Sequence, residues 1–97
     1  MKQIKDEKII DEIIRILRSE RAKKIAIFGS YARGEENKES DIDIIVEFSE
    51  KKSFLDLVRI ERTLSEALEI KVDLLTEKSI NSYLKDIIKK EMKVIYQ

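Results

Sequence analysis

The sequence predicts a small α/β (α+β) protein built as a single domain. Segments in which apolar residues recur at helical spacing alternate along the chain with short segments of strand character. The chain has 97 residues, which suffices for one modest hydrophobic core. Charged residues make up 41% of it, but the net charge is zero and isoleucine is frequent, so the composition favours a folded chain over a disordered one.

The first part of the chain is predicted to form a helix, a strand and a loop. Apolar residues at helical spacing between charged ones predict an amphipathic helix over residues 5–19. The continuous apolar run 25–28 predicts a strand that is covered on both faces, and Gly29 ends it. Residues 30–40 are expected to form a loop.

The middle of the chain is predicted to form a strand and a long helix. Apolar and polar residues alternate over residues 41–48, which predicts a strand with one apolar face. A stripe at helical spacing predicts a helix over residues 54–68, and this stripe includes one charged residue, Glu61. Ser53 is suited to cap the N-terminus of that helix.

The last part is predicted to add a strand, a helix and an edge strand. Residues 70–76 read as a strand, and apolar residues at helical spacing predict a helix over residues 80–88. Ser79 is a candidate N-cap for this helix, and residues 94–96 are expected to form the edge strand.

The residue types that are missing restrict the chemistry. The chain has no Cys and no His, which excludes disulfides, the usual zinc sites, a Cys nucleophile and a Ser-His-Asp triad. Balanced and interleaved charges do not favour nucleic acid as the main partner. The apolar runs are short and the start of the chain is polar, so we expect a cytoplasmic protein without a membrane span.

Both glycines of the protein, Gly29 and Gly34, fall in the loop that follows the first strand. Glycine permits positive φ and has no Cβ, so backbone N–H groups can converge on an anion, and a short helix beginning at Ser30 would add further donors. An ordinary strand-to-helix turn is the alternative. The spacing of the glycines matches the start of a P-loop, but Glu35 and Glu36 follow in place of Lys and Ser or Thr, which excludes that motif.

Three aspartates are candidates for a metal site. Asp41 and Asp43 are two positions apart in a predicted strand, so they project from one face, and hard oxygen ligands favour Mg²⁺ or Mn²⁺. Asp73 joins them if the second and third strands are neighbours in register, which would give a layout suited to two-metal phosphoryl or nucleotidyl transfer. The alternatives are a solvated aspartate pair and an edge aspartate without a role.

Taken together, the two motifs resemble the signature of the minimal nucleotidyltransferases, members of the polymerase-beta-like nucleotidyltransferase superfamily. The matching residues are Gly29-Ser30-Tyr31-Ala32-Arg33-Gly34 and Asp41-Ile42-Asp43-Ile44-Ile45-Val46. The resemblance covers essentially the whole chain and implies one nucleotidyltransferase domain over residues 1–97, with a mixed sheet flanked by helices. It also implies transfer of a nucleoside monophosphate from a nucleoside triphosphate, usually ATP, with two Mg²⁺ ions and release of pyrophosphate.

The resemblance further implies roles for individual residues. Gly29 and Ser30 would hold the phosphates, Asp41 and Asp43 the metal ions, and Asp73 the acceptor side, where it would contact the second ion or take the proton. Arg33 matches the arginine of the motif; a contact to phosphate and a structural salt bridge with a nearby glutamate are both open.

Family resemblance implies a partner as well. Such proteins commonly act as the antitoxin of a two-component system with a HEPN-domain ribonuclease toxin, and some transfer AMP to a tyrosine hydroxyl of it. Two alternatives remain: an antitoxin that neutralises its partner by binding alone, and a nucleotidyltransferase for a small-molecule or RNA acceptor. A binding surface would need exposed apolar side chains, and the candidates are Tyr31, Phe54, Tyr83 and Tyr96.

Overall fold

A computed structural model of the chain describes residues 7–33, 41–80 and 82–97, apart from the side chains of Ser30 and Arg33. Helices and strands alternate along these residues, as predicted. The elements are α1 (Glu7–Ser19), β1 (Ala22–Phe28), α2 (Ser30–Arg33), β2 (Ile42–Phe48), α3 (Phe54–Leu68), β3 (Val72–Thr76), a 3₁₀ turn (Glu77–Ser79), α4 (Ser82–Glu91) and β4 (Lys93–Tyr96).

The strands form one mixed sheet in the order β3-β2-β1-β4. β1 lies in the centre and runs antiparallel to both β2 and β4. β2 and β3 run parallel, and α3 makes the crossover between them, as parallel neighbours require. The prediction of a mixed sheet flanked by helices is therefore confirmed.

The hydrophobic core lies between one face of the sheet and the helices α1 and α3. β2 shows how the sequence specifies this face, because Ile42, Ile44 and Val46 alternate with polar or less central residues and are all fully buried. Other fully buried side chains come from every layer: Ile13, Leu17, Ile25, Ile27, Ile60 and Leu64.

The opposite face of the sheet is only partly covered. Ala26 and Ile45 are buried there, 1% and 4% exposed, outside the main core cluster. α4 approaches this face, and a small cavity lies between Ile45 and residues that include Ile88 and Met92. No side chain of α4 is itself buried. Within the described residues, each helix is too short or too polar to cross a membrane.

The predicted element boundaries are accurate where a local signal sets them. α3 begins and ends where the sequence predicted. Its start is set by a capping box, in which Ser53 Oγ accepts a hydrogen bond from the N–H of Asp56 at 3.1 Å and Asp56 Oδ2 accepts one from the N–H of Ser53 at 3.2 Å. The predicted cap at Ser79 was wrong. Its Oγ instead accepts from the N–H of Thr76 at 3.2 Å within the 3₁₀ turn, and α4 begins only at Ser82.

A charge cluster joins the end of α1 to α3. Glu20 accepts two hydrogen bonds from the guanidinium of Arg59, at 3.0 and 3.2 Å, and the ammonium of Lys52 lies 3.5 Å from Glu20 Oε1. The hydrogen bond from Arg59 lowers the pKa of Glu20, and partial burial opposes this only in part. The interaction with Arg59 therefore stabilises the folded chain when Glu20 is ionised.

Substitution of Arg59 by Met is expected to destabilise the protein at neutral pH and to have almost no effect in acid. The pKa of Glu20 is lowered on folding from its ordinary value of 4.5, so its contribution to stability is complete above that value and is lost as the pH falls through the folded pKa. Because the Arg59 side chain is 52% exposed, screening by solvent keeps the loss of stability at pH 7 small. Urea unfolding of Arg59→Met and wild type at neutral and acidic pH measures the loss of stability. An equal loss at both pH values would contradict the attribution to ionised Glu20.

Candidate active site

Gly29 occupies the sharp turn between β1 and α2, and only glycine suits it. Its φ is +80°, in the left-handed region that other residues rarely adopt. The preceding residue, Phe28, pairs with Asp43 on β2, which brings the Asp43 side chain over Gly29. A Cβ on Gly29 would overlap Asp43 Oδ2 and lie 3.3 Å from its Cγ. The backbone of Gly29 and the carboxylate of Asp43 are therefore in direct contact.

The predicted short helix after Gly29 is present. α2 begins at Ser30, and Tyr31 and Ala32 are buried in the core, 8% and 2% exposed, which fixes the helix to the sheet. The side chains of Ser30 and Arg33, and Gly34 as a whole, lie outside the described parts of the chain. The phosphate-binding roles of Gly29, Ser30 and Arg33 stay predictions.

Asp41 and Asp43 lie at the start of β2. Asp41 immediately precedes the strand and Asp43 is inside it, so their Cα atoms are about 6.5 to 7 Å apart on the same side of an extended chain. Both side chains are half-buried. The ammonium of Lys71 approaches this pair, with its Nζ 3.9 Å from Asp41 Oδ2. Since Lys71 is 73% exposed, this is a weak surface pair that does not bury the Asp41 carboxylate.

Asp73 lies beside Asp43. The parallel register of β2 and β3 pairs Asp43 with Asp73, and residues paired in this way project from the same face. Neighbouring strands are about 4.8 Å apart, so this is also the approximate separation of the two backbones. The condition that the sequence left open, neighbouring strands in register, is met. The chemical roles of Asp41, Asp43 and Asp73 remain predictions.

The carboxylates fit a magnesium ion that is shared with a substrate. Within residues 7–33, 41–80 and 82–97, no group of three acidic side chains is close enough to hold a metal ion by itself. Mg²⁺ usually takes only one or two carboxylates, and water and substrate phosphates supply its other ligands. Asp41 and Asp43 provide such a pair of hard oxygen donors on one side of β2, so the donor set fits Mg²⁺ without a third protein ligand.

Two residues of α3 that sequence reasoning gave no role hold the strand that carries Asp73. Glu61 Oε2 accepts a hydrogen bond from the N–H of Leu74 at 2.8 Å, and Ser65 Oγ accepts one from the N–H of Val72 at 3.0 Å. The sequence carries one signal of this: Glu61 is the charged residue in an otherwise apolar stripe at helical spacing.

Comparison with known proteins identifies the family. A family model described as a nucleotidyltransferase domain matches residues 10–95, nearly the whole chain. The chain belongs to the nucleotidyltransferase domain family. The family predicted from the glycine loop and the paired aspartates is thus confirmed, and so is its enzyme class.

Relatives of this nucleotidyltransferase domain carry more specific names. A chain from Methanocaldococcus jannaschii, provisionally named a protein adenylyltransferase, is 54% identical over 80 residues, which is 82% of this chain and 86% of the relative. The match spans most of both chains, so the shared fold includes the strands that carry Asp43 and Asp73.

Some of the solved structures similar to this nucleotidyltransferase domain come from toxin–antitoxin complexes. A chain in the crystal structure of a toxin–antitoxin with AMP-PNP has a TM-score of 0.82 and 28% identity, covering 90% of this chain and 72% of that one. A chain in the structure of a tri-AMPylated Shewanella oneidensis HEPN toxin with an MNT antitoxin has a TM-score of 0.76 and 25% identity, covering 93% and 71%.

Proposed function

We propose that this nucleotidyltransferase domain is an antitoxin that transfers AMP from ATP to a hydroxyl group of a HEPN-type toxin, and that the hydroxyl is that of a tyrosine. The observation that carries the proposal is the alignment of Asp43 with Asp73 across β2 and β3, with Gly29 against the Asp43 carboxylate. This arrangement offers oxygen ligands, a backbone surface free of side chain and a further carboxylate at one end of the sheet.

Each residue has a distinct task in this reaction. Asp41 and Asp43 hold Mg²⁺ together with the triphosphate, and the bare backbone of Gly29 lets the phosphates approach. The acceptor oxygen bonds to the α-phosphorus while the bond from that phosphorus to the β-phosphate oxygen breaks, and pyrophosphate leaves. Asp73, on the acceptor side, takes the hydroxyl proton. Bound Mg²⁺ neutralises phosphate charge and favours ionisation of the hydroxyl.

The similar proteins support the nucleotide and the acceptor class. One similar structure contains AMP-PNP, an ATP analogue, and another contains an AMPylated HEPN toxin with its antitoxin. The Methanocaldococcus jannaschii relative is named for AMP transfer to protein. These observations favour ATP over other nucleotides and a protein over a small-molecule or RNA acceptor.

A second candidate, neutralisation by binding alone, is favoured by exposed apolar side chains. Phe54 and Leu55 at the start of α3 are each 76% exposed, and Tyr83 on α4 is 79% exposed. Two other sequence candidates do not fit: Tyr31 is buried, and Tyr96 packs against the core. A binding antitoxin needs such exposed side chains but not the aspartates, which separates the two candidates experimentally.

Mass spectrometry tests the catalytic proposal directly. The purified protein is incubated with ATP, Mg²⁺ and the protein encoded by the neighbouring gene, as the candidate toxin, and the intact mass of that candidate is measured. We expect increments equal to AMP, located on tyrosine by fragmentation, and none when EDTA removes the metal. An unchanged mass in the complete reaction would exclude the catalytic version of the proposal.

A further inference from the structure

The outer edge of β3 is closed by side chains. β3 ends the sheet, so the backbone N–H groups that point away from β2 have no strand partner. Three of them nevertheless donate to side-chain oxygens within the protein: Val72 to Ser65 Oγ, Leu74 to Glu61 Oε2 and Thr76 to Ser79 Oγ, at 3.0, 2.8 and 3.2 Å. Water could satisfy such edge donors, so protein acceptors there fix the strand rather than merely pair its donors.

Two of these acceptors flank Asp73. Glu61 and Ser65 are four positions apart and so share one face of α3, and they bind the N–H groups on either side of Asp73. The bond to Glu61 involves a carboxylate, which makes it stronger than a bond between neutral groups. Glu61 is half-buried, and a polar group in such a position needs a hydrogen-bond partner, which the N–H of Leu74 supplies.

We propose that Glu61 is a positioning residue, supported by Ser65, that holds β3 in the register which sets Asp73 beside Asp43. The inference rests on the proposed function, because Asp73 must meet the acceptor hydroxyl in that reaction. Pairing with β2 fixes one side of β3, and α3 fixes the other through these two hydrogen bonds. A displacement of about 1 Å in a reacting group is enough to lower a rate about a hundredfold.

Two substitutions of Glu61 distinguish the effect of its hydrogen bond to β3 from the effect of side-chain packing. Glu61→Leu removes the acceptor and keeps the stripe apolar, whereas Glu61→Gln keeps an oxygen that can accept from Leu74. We expect Glu61→Leu to lower kcat for AMP transfer about tenfold to a hundredfold with an unchanged KM for ATP, and Glu61→Gln to restore kcat. Glu66→Leu, which removes a 74% exposed glutamate from the same helix, is the matched control and should leave kcat unchanged.

Amide hydrogen exchange gives a readout independent of activity. In Glu61→Leu the Leu74 amide is expected to exchange faster and the Asp73 amide resonance to shift, while Glu61→Gln and Glu66→Leu retain wild-type values. Ser65→Ala, a milder change, should affect the Val72 amide in the same way. Ser65→Ala can therefore test whether α3 fixes β3 even if Glu61→Leu does not fold.

Each outcome bears on one hypothesis. If the wild type transfers AMP and Glu61→Leu has the same kcat, the positioning role is overturned and the proposed function stands. Absence of transfer by the wild type would remove the proposed function, and unchanged exchange at Leu74 would then overturn the inference by itself. Ile16→Val, a core change on α1 away from the aspartates, controls for general destabilisation. A comparable fall in kcat at an equal loss of Tm would also overturn the positioning role.

Discussion

The double substitution Asp41→Asn/Asp43→Asn is expected to lower the rate of AMP transfer by at least about a thousandfold while leaving the protein folded. Asparagine has nearly the shape of aspartate but no charge, so the site loses the anionic ligands that we propose hold Mg²⁺ against the triphosphate. Such charge stabilisation contributes several kcal/mol to the transition state, and about 4 kcal/mol corresponds to a thousandfold in rate.

Folding should not suffer, because both side chains are half-buried and are not part of the main core cluster. The double substitution also removes the repulsion between the two neighbouring carboxylates. Initial rates of AMP incorporation measure the effect, and thermal unfolding verifies the fold.

Two control variants sharpen this experiment. Asp86→Asn removes an exposed aspartate from α4 and should transfer AMP at the wild-type rate. Asp73→Asn alone should lower kcat and leave ATP binding largely intact, since its assigned task concerns the acceptor. If the double variant labels the toxin as fast as the wild type does, Asp41 and Asp43 are not the metal ligands. If it labels nothing yet still neutralises the toxin, binding alone accounts for the antitoxin effect.

The second large effect is expected from Gly29→Ala, which should lower the free energy of unfolding by about 2 kcal/mol or more and abolish transfer. An L-residue at φ +80° costs about 1 to 2 kcal/mol by itself. The new Cβ would also overlap Asp43 Oδ2 and force that carboxylate away from its position. Stability and activity are therefore expected to fall together.

A double-mutant cycle distinguishes the two causes. In an Asp43→Ala background the carboxylate is absent, so Gly29→Ala should cost less there than in the wild type, and the remaining cost reports the positive φ. Urea unfolding of the four proteins supplies the free energies. Equal costs in both backgrounds would show that the contact with Asp43 is not what makes glycine necessary.

The sequence was most informative where neighbouring residues determine the structure. The first residue of α3 could be predicted because Ser53 and Asp56 cap the helix reciprocally. Ser79 misled the prediction for the opposite reason: the local pattern is that of a cap, but its hydroxyl closes a 3₁₀ turn with Thr76. A hydroxyl near a helix start serves either purpose, and only the tertiary course of the chain decides between them.

In the candidate site, too, the features set by neighbouring residues could be predicted from the sequence, and those set by strand pairing could not. The alternation of β2 was sufficient to put Asp41 and Asp43 on one side, but the neighbourhood of Asp43 and Asp73 depends on which strands pair and in what register. The role of Glu61 could not be predicted, because its hydrogen bond joins a helix residue to a strand residue 13 positions further along the chain. The one indication in the sequence was a charged residue within an otherwise apolar stripe.

The sparse packing of α4 has a consequence for how stability is distributed over the molecule. None of its side chains is buried, and Ile87 remains 48% exposed, so its amides should exchange through local opening well below the free energy of global unfolding. Unfolding measured by denaturant then reports mainly on the sheet with α1 and α3. Mutations on the outer side of α4 should lower the free energy of unfolding by only about 0.5 kcal/mol or less, so folding places little constraint on the residues of this surface.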